Sequence, residues 1–440
     1  MNRSLQRMIL AILIVCASSR INAQAKENIF HELNNLLINT VMDDLFTPPI
    51  ASRIYAYPNI AFYECIRFED ISMPPLSGKL NGLKKLPAPE KENNNFISAC
   101  IAFSFVAQNL VGSEYKIEEW RGRFSDSIHN TVNPSVYKNA FDHGKRIADS
   151  IIAWSKQDNY LRSRGMMRFT ASDKAGTWQP TPNDYAPGLE PNWNTLRPMI
   201  MRSCSQFSPT EKLKYSTSKQ SMFHKNVMEV YTISKKLDSN QKKIALYWDD
   251  NPNVSVIEGH LTYFVHKISP GGHWIKIAGQ ACSQRNIPLV KTAQTYALTS
   301  IAIYEAFIAC WDEKYKTNLL RPITVINNHI DADWRPLIQT PPFPEFTSGH
   351  SVTSNAAAAV LTVLLGDNVS FTDETEIPFG HAPKTFKSFN AAAKESSMRR
   401  VYGCIHYPET ARISILQGQR IGKYVMQTLY SIANAKLKPQ

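Results

Sequence analysis

Apolar residues recur three and four apart through most of the chain, the spacing that lines one face of an α-helix. Segments 27–46, 51–68, 95–112, 133–157, 209–235, 290–316, 350–366, 386–401 and 410–434 carry this period. The stretch TAQTYALTSIAIYEAFIACWDEKY lacks proline and glycine and sets Ile301, Tyr304, Ile308 and Trp311 along one stripe. Strict apolar–polar alternation, the mark of a half-buried strand, is scarce. The pattern predicts an all-α protein built of packed helix bundles. A break near 236–250 separates an N-terminal helical bundle, 24–240, from a C-terminal one, 241–440. The proline-rich stretch GTWQPTPNDYAPGLEPNWNTLRP, residues 176–198, is expected to cover a helix layer or to rim a pocket.

The first residues break this pattern. Arg3 and Arg7 precede an apolar run from Met8 to Ala17, and Ala23 and Ala25 follow in an A-x-A arrangement. That is the form of a secretory signal, residues 1–23, so the chain is expected to be exported, to the periplasm or beyond the cell. No later apolar run reaches the roughly 18–20 residues that span a bilayer.

Composition adds little except in its exclusions. Apolar residues make up 43% of the 440, which suits an ordinary globular protein and not a disordered one. Losing Arg3, Arg7 and Arg20 with the leader lowers the net charge from +12 to +9, a balance that attracts anions. Dense Lys/Arg runs interleaved with aromatics are missing, so nucleic acid is not an expected partner. The six cysteines beyond the leader are scattered without a C-x-x-C pair, and HExxH is absent, so zinc has no support, from His260, His266 and His273 included.

The chemistry concentrates near the C-terminus. Ser348-Gly349-His350 opens an alanine-rich helical segment, where free N–H groups and the positive dipole end favour an anion and glycine lets it approach the backbone. Upstream, Lys314 stands seven residues before Arg321, and Pro322 turns Arg321 out of helical geometry. Downstream, Arg400 stands six residues before His406, which Gly403 and Pro408 flank. Three cations, a hydroxyl, a backbone N–H and two histidines suit a multiply charged oxyanion. Carboxylates are missing from this set, which argues against Mg²⁺ or Ca²⁺. Trp248-Asp249-Asp250 is placed near the same site, with either aspartate a partner for an arginine. His381 receives no role.

The ordered triple K-x6-RP, SGH and R-x5-H resembles the superfamily of vanadium-dependent haloperoxidases and type 2 phosphatidic acid phosphatases. The surrounding words WDEKYKTNLLRPITVI, PPFPEFTSGHS and RVYGCIHY resemble its bacterial haloperoxidase branch, iodoperoxidases included. The resemblance implies two helix bundles of the haloperoxidase type and a vanadate cofactor. It implies that His406 bonds vanadium, while Lys314, Arg321, Ser348, Gly349 and Arg400 hold the vanadate oxygens. His350 would take the proton of hydrogen peroxide, and Lys314 would polarise the peroxide for attack by halide, giving hypohalous acid for small organic acceptors. Trp311 and Phe343 match aromatic positions on the halide side. Iodide is the halide expected from branch resemblance, with bromide next.

Two positions depart from the family pattern. Arg399 stands where serine is usual, and Thr410 where an aspartate usually follows the final histidine. Glu409 or a backbone carbonyl is the expected substitute acceptor for the ligand histidine. The residues that hold vanadate also suit phosphate, so a soluble exported acid phosphatase acting through a phosphohistidine at His406 stays open. A non-catalytic oxyanion-binding protein stays open too. The absence of a membrane span, the roughly 250 helical residues ahead of the site and the two aromatics favour the peroxidase.

Overall fold

The computed structural model describes residues 24–252 and 254–430. The expected leader, residues 1–23, lies outside the described residues. The N-terminal part comprises α1 (24–43), α2 (Pro48–Ile66), α3 (Asn95–Gln108), α4 (Glu114–His129), α5 (Pro134–Ser155) and the short α6 (Tyr160–Arg164). Prolines open α2 and α5 at the first helical position, where the missing N–H would have had no partner. Asn94 caps α3 by accepting from the Ile97 N–H. The later elements are α7 (Met222–Lys236), α8 (Ser239–Tyr247), α9 (Pro270–Gln284), α10 (Leu289–Thr317), α11 (Pro322–His329), α12 (Gly349–Leu365), α13 (Phe389–Tyr402) and α14 (Pro408–Leu429). Two small antiparallel hairpins complete the set, Val254–Glu258 with Leu261–Val265 and Phe371–Asp373 with Lys384–Phe386. The protein is all-α, as its periodicity predicts.

The centre of the molecule is α10. Every residue from 292 to 314 is buried, which requires neighbours on all sides of the helix. These are α2, α9, α12 and α14. One apolar cluster runs through α1, α2, α3, α9, α10 and α12, so the floor of the C-terminal half is continuous with N-terminal helices. No helix of the described residues is long and apolar enough to cross a membrane.

The helices that carry the site are held by backbone contact. A Cβ added at Gly418 of α14 would lie 2.3 Å from the Val352 carbonyl oxygen of α12, and one at Gly422 would lie 2.4 Å from that of Ala356. Gly418→Ala therefore forces the two helices apart. Its expected cost is about 1–3 kcal/mol, seen as a lowered midpoint of thermal unfolding. An unchanged midpoint would mean that α14 shifts freely against α12.

Three sequence expectations need adjusting. The helix expected over 209–235 begins only at Met222, where the Ser221 hydroxyl caps it. The preceding residues, rich in Ser, Thr and Lys, run without helix. Helix α4 escaped the periodicity because it buries only Ile117, Trp120 and Phe124 among charged neighbours. Helix α9 escaped because its first residues, Pro-Gly-Gly, look like a loop, although Ser269 caps them. The stretch 176–198 does cover a helix: Trp178 and Trp193 are buried, and the Leu189 carbonyl accepts from the Trp311 indole at 3.1 Å and the Tyr315 hydroxyl at 2.6 Å.

Candidate active site

Four chain turns meet at one end of α10. Asn318, in the left-handed region at φ 48, ends that helix just after Lys314. Arg321 is extended, with φ −80 and ψ 155, because Pro322 follows it. Residues 340–348 then lead into α12, which starts at Gly349, and His406 lies in the turn between α13 and α14. Residues spread over nearly a hundred positions so converge.

Arg321 is fully buried. Its Nε donates to the Phe343 carbonyl at 2.9 Å, and its Nη1 donates to the Ile405 carbonyl at 2.8 Å and to His406 Nε2 at 3.1 Å. A guanidinium only donates, so Nε2 of His406 holds a lone pair and the ring proton sits on Nδ1. That proton goes to Glu345 Oε1 at 2.8 Å. Glu345 also accepts from the Tyr407 N–H at 3.0 Å and the Thr410 hydroxyl at 2.8 Å. The acceptor that fixes the histidine is thus Glu345. The expected substitute, Glu409, instead faces Arg412 on the surface at 2.7 Å.

Lys314 Nζ donates to the carbonyls of Pro344, Glu345 and Thr347, which uses all three of its N–H bonds. It organises the loop before α12 as well as supplying charge. The Ser348 hydroxyl caps α12 by accepting from the Ser351 N–H, accepts from the Ser351 hydroxyl as well, and its own hydrogen remains free to donate. Gly349 is the first residue of α12, so its N–H has no acceptor within the helix.

On the other wall, His350 Nε2 meets Arg399 Nη2 at 2.5 Å and lies 3.8 Å from Asp250 Oδ2. Arg399 Nη1 reaches Asp249 at 3.5 Å, so an aspartate of the 248–252 turn does partner an arginine. Asp250 is held by His273, whose Nδ1 is 2.9 Å from Asp250 and whose Nε2 is 2.7 Å from Asp373. Sequence reading gave His273 no role; it is a buried link between two carboxylates.

These groups line a narrow cavity shared by Trp311, Phe343, Gly349, His350, Arg400, His406, Asp250 and three prolines. The Trp311 and Phe343 rings stand 5.0 Å apart, and Lys314 Nζ is 4.8 Å from the centre of Phe343. All the predicted site residues are therefore brought together, with Lys314, Arg321 and Ser348 buried behind the lining.

Positive charge is in excess here. Burial, then Arg399 and Arg321, holds Arg400 well below its usual range. Burial takes Arg321 down to about 10 and Lys314 down to about 7. Burial and the Arg321, Lys314 and Arg400 charges keep His406 far below the usual histidine range, hence neutral. Burial lifts Glu345 to about 7, against the pull of Arg321. Arg321 Nη2 and Arg400 Nε are buried without a partner. Unpaired buried guanidinium groups are costly, and an oxyanion would satisfy both them and the charge. Vanadate fits this donor set, with His406 Nε2 as its nitrogen ligand. An Asp, Glu or Cys ligand set for a bare cation is missing from this wall.

Comparison with known proteins agrees. Residues 294–435 match the model of the VCPO second helical-bundle domain. The chain is similar, at 40% identity and a TM-score of 0.88, to the crystal structure of the first bacterial vanadium-dependent iodoperoxidase, over 93% of this chain and 98% of that one. A holo-type bacterial vanadium-dependent chloroperoxidase shares the fold at 14% identity and a TM-score of 0.66, over 88% of this chain and 93% of that one. The apo-type form does so at 13% and 0.59, over 87% and 94%. No curated protein matches the chain.

Proposed function

The chain belongs to the vanadium-dependent haloperoxidases, and from that premise we propose that it oxidises iodide with hydrogen peroxide to hypoiodous acid. The observation that carries the vanadate site is the pair of buried, unpartnered guanidinium nitrogens beside a neutral histidine whose Nε2 lone pair is free of protons. Bound vanadate supplies a Lewis-acid centre that activates peroxide without changing its oxidation state.

The protein's part is charge, orientation and exclusion of water. Arg321, Arg400 and Lys314 neutralise the oxygens, and Ser348 and the Gly349 N–H add donors at the positive end of α12. Glu345 keeps His406 in the tautomer that a ligand nitrogen needs. His350 is the acid–base group of the opposite wall. Trp311 and Phe343 give the halide a dry, polarisable approach beside the Lys314 charge. Iodide is favoured by the likeness to the iodoperoxidase, and small organic molecules would take up the oxidised halogen.

The test is triiodide formation from iodide and peroxide by the metal-stripped protein, before and after adding orthovanadate. A vanadate-dependent rise is expected; hydrolysis of a phosphate ester, inhibited by vanadate and without triiodide, would overturn the assignment in favour of the phosphatase. Export is proposed on the Arg3–Ala25 pattern, and a native N-terminus at or just after Ala23 would bear on it directly.

Vanadate affinity should depend on pH through Lys314. Below about 7 the amine is already charged in the free site. Above that value a bound anion must bring a proton to it, so affinity falls as pH rises, by up to about tenfold per unit. Dissociation constants measured across neutral pH, corrected for the ionisation of vanadate itself, check this. Affinity that rises with pH would remove Lys314 from the charge balance.

A further inference from the structure

Arg399 stands outside the family pattern, and its position gives it a task. His350 Nε2 has two candidate partners that ask opposite things of it. The Asp250 carboxylate, 3.8 Å away, only accepts and would favour a proton on Nε2. The Arg399 guanidinium, 2.5 Å away, only donates and requires a bare Nε2. The nearer group decides.

Arg399 cannot turn aside. It is fully buried, and its Nη1 is tied to Asp249 Oδ1 at 3.5 Å and the Ala245 carbonyl at 3.4 Å. Asp249 is tied in turn to Lys267 at 2.8 Å. Asp250 is likewise held back, because His273 engages its other oxygen. The ring of His350 is neutral, since burial and then the charges of Arg399 and Arg400 keep it well below the usual histidine range.

We propose that Arg399 is a positioning residue that fixes His350 as the Nδ1–H tautomer in the resting site, where its guanidinium caps Nε2. The catalytic weight of this tautomer rests on the haloperoxidase reading; the tautomer itself does not, and it can be measured without turnover.

The experiment is nitrogen NMR of the full-length protein labelled with ¹⁵N-histidine, with and without orthovanadate. The His350 signals are assigned by their loss in His350→Gln. The wild-type ring is expected to show a protonated Nδ1 and a bare Nε2. In Arg399→Ser, Asp250 becomes the sole charged partner of Nε2, and the proton is expected to move there. Arg399→Lys, which keeps a donor-only cation, is expected to hold the wild-type pattern if its amine reaches the ring. Asp250→Asn should leave the wild-type tautomer unchanged, and it decides the matter if Arg399→Ser does not fold. A protonated Nε2 in the wild type, or a proton that stays on Nδ1 in folded Arg399→Ser, would overturn the proposal. Failure of iodide oxidation alongside the expected tautomer would count against the haloperoxidase reading only.

Discussion

His406→Ala is expected to abolish vanadate-dependent iodide oxidation and to leave the helical fold intact. The imidazole is 1% exposed and stands between two groups, Arg321 on Nε2 and Glu345 on Nδ1. Removing it deletes the one neutral nitrogen with a lone pair that the cationic wall presents. Arg321 keeps its bonds to the Phe343 and Ile405 carbonyls, and Glu345 keeps Tyr407 and Thr410. The stability cost should therefore stay near that of two lost buried hydrogen bonds, about 2–6 kcal/mol. Circular dichroism should be unchanged while vanadate binding, followed by dialysis equilibrium, falls below detection. Turnover at the native rate in this variant would sink the assignment of His406.

What could be read in the sequence follows from how local the signals are. Lys314, Arg321, Ser348, Gly349, His350, Arg400 and His406 stand in short words beside helix ends. Proline, glycine and the start of an alanine-rich run mark those ends, so the words themselves report a backbone turn. Glu345 was not legible. It lies 61 residues from the histidine it orients, and only the fold closes that gap. Glu409 looked better by proximity, yet at the first turn of α14 it points to Arg412. A carboxylate set among prolines and phenylalanines, in PPFPEFTSGH, was the available signal: a buried acid in such company needs several donors. Arg399 was visible as a departure, but its partner His350 lies 49 residues away. The same logic explains the helices. Long ones such as α10 announce themselves by many apolar repeats, whereas α4 has three.

Glu345 also gives the second large effect. Glu345→Ala should weaken vanadate binding by about 10–100-fold, the usual consequence of freeing a ligand histidine from its acceptor. Three donors lose their partner at once: His406 Nδ1–H, the Tyr407 N–H and the Thr410 hydroxyl. The ring can then turn, and either nitrogen can carry the proton. Glu345→Gln separates the two things the carboxylate does. Its amide oxygen can still accept from His406 and Tyr407, and its amide nitrogen can donate to the Thr410 hydroxyl, which also accepts. Only the negative charge is gone, and in a site already rich in buried cations that loss does not repel an anion. The glutamine variant should accordingly bind vanadate within a few-fold of wild type, while alanine does not. If glutamine proved as weak as alanine, the charge on Glu345 and not the orientation of His406 would be what the site requires. If alanine bound as tightly as wild type, the turn between α13 and α14 alone would be enough to aim the histidine.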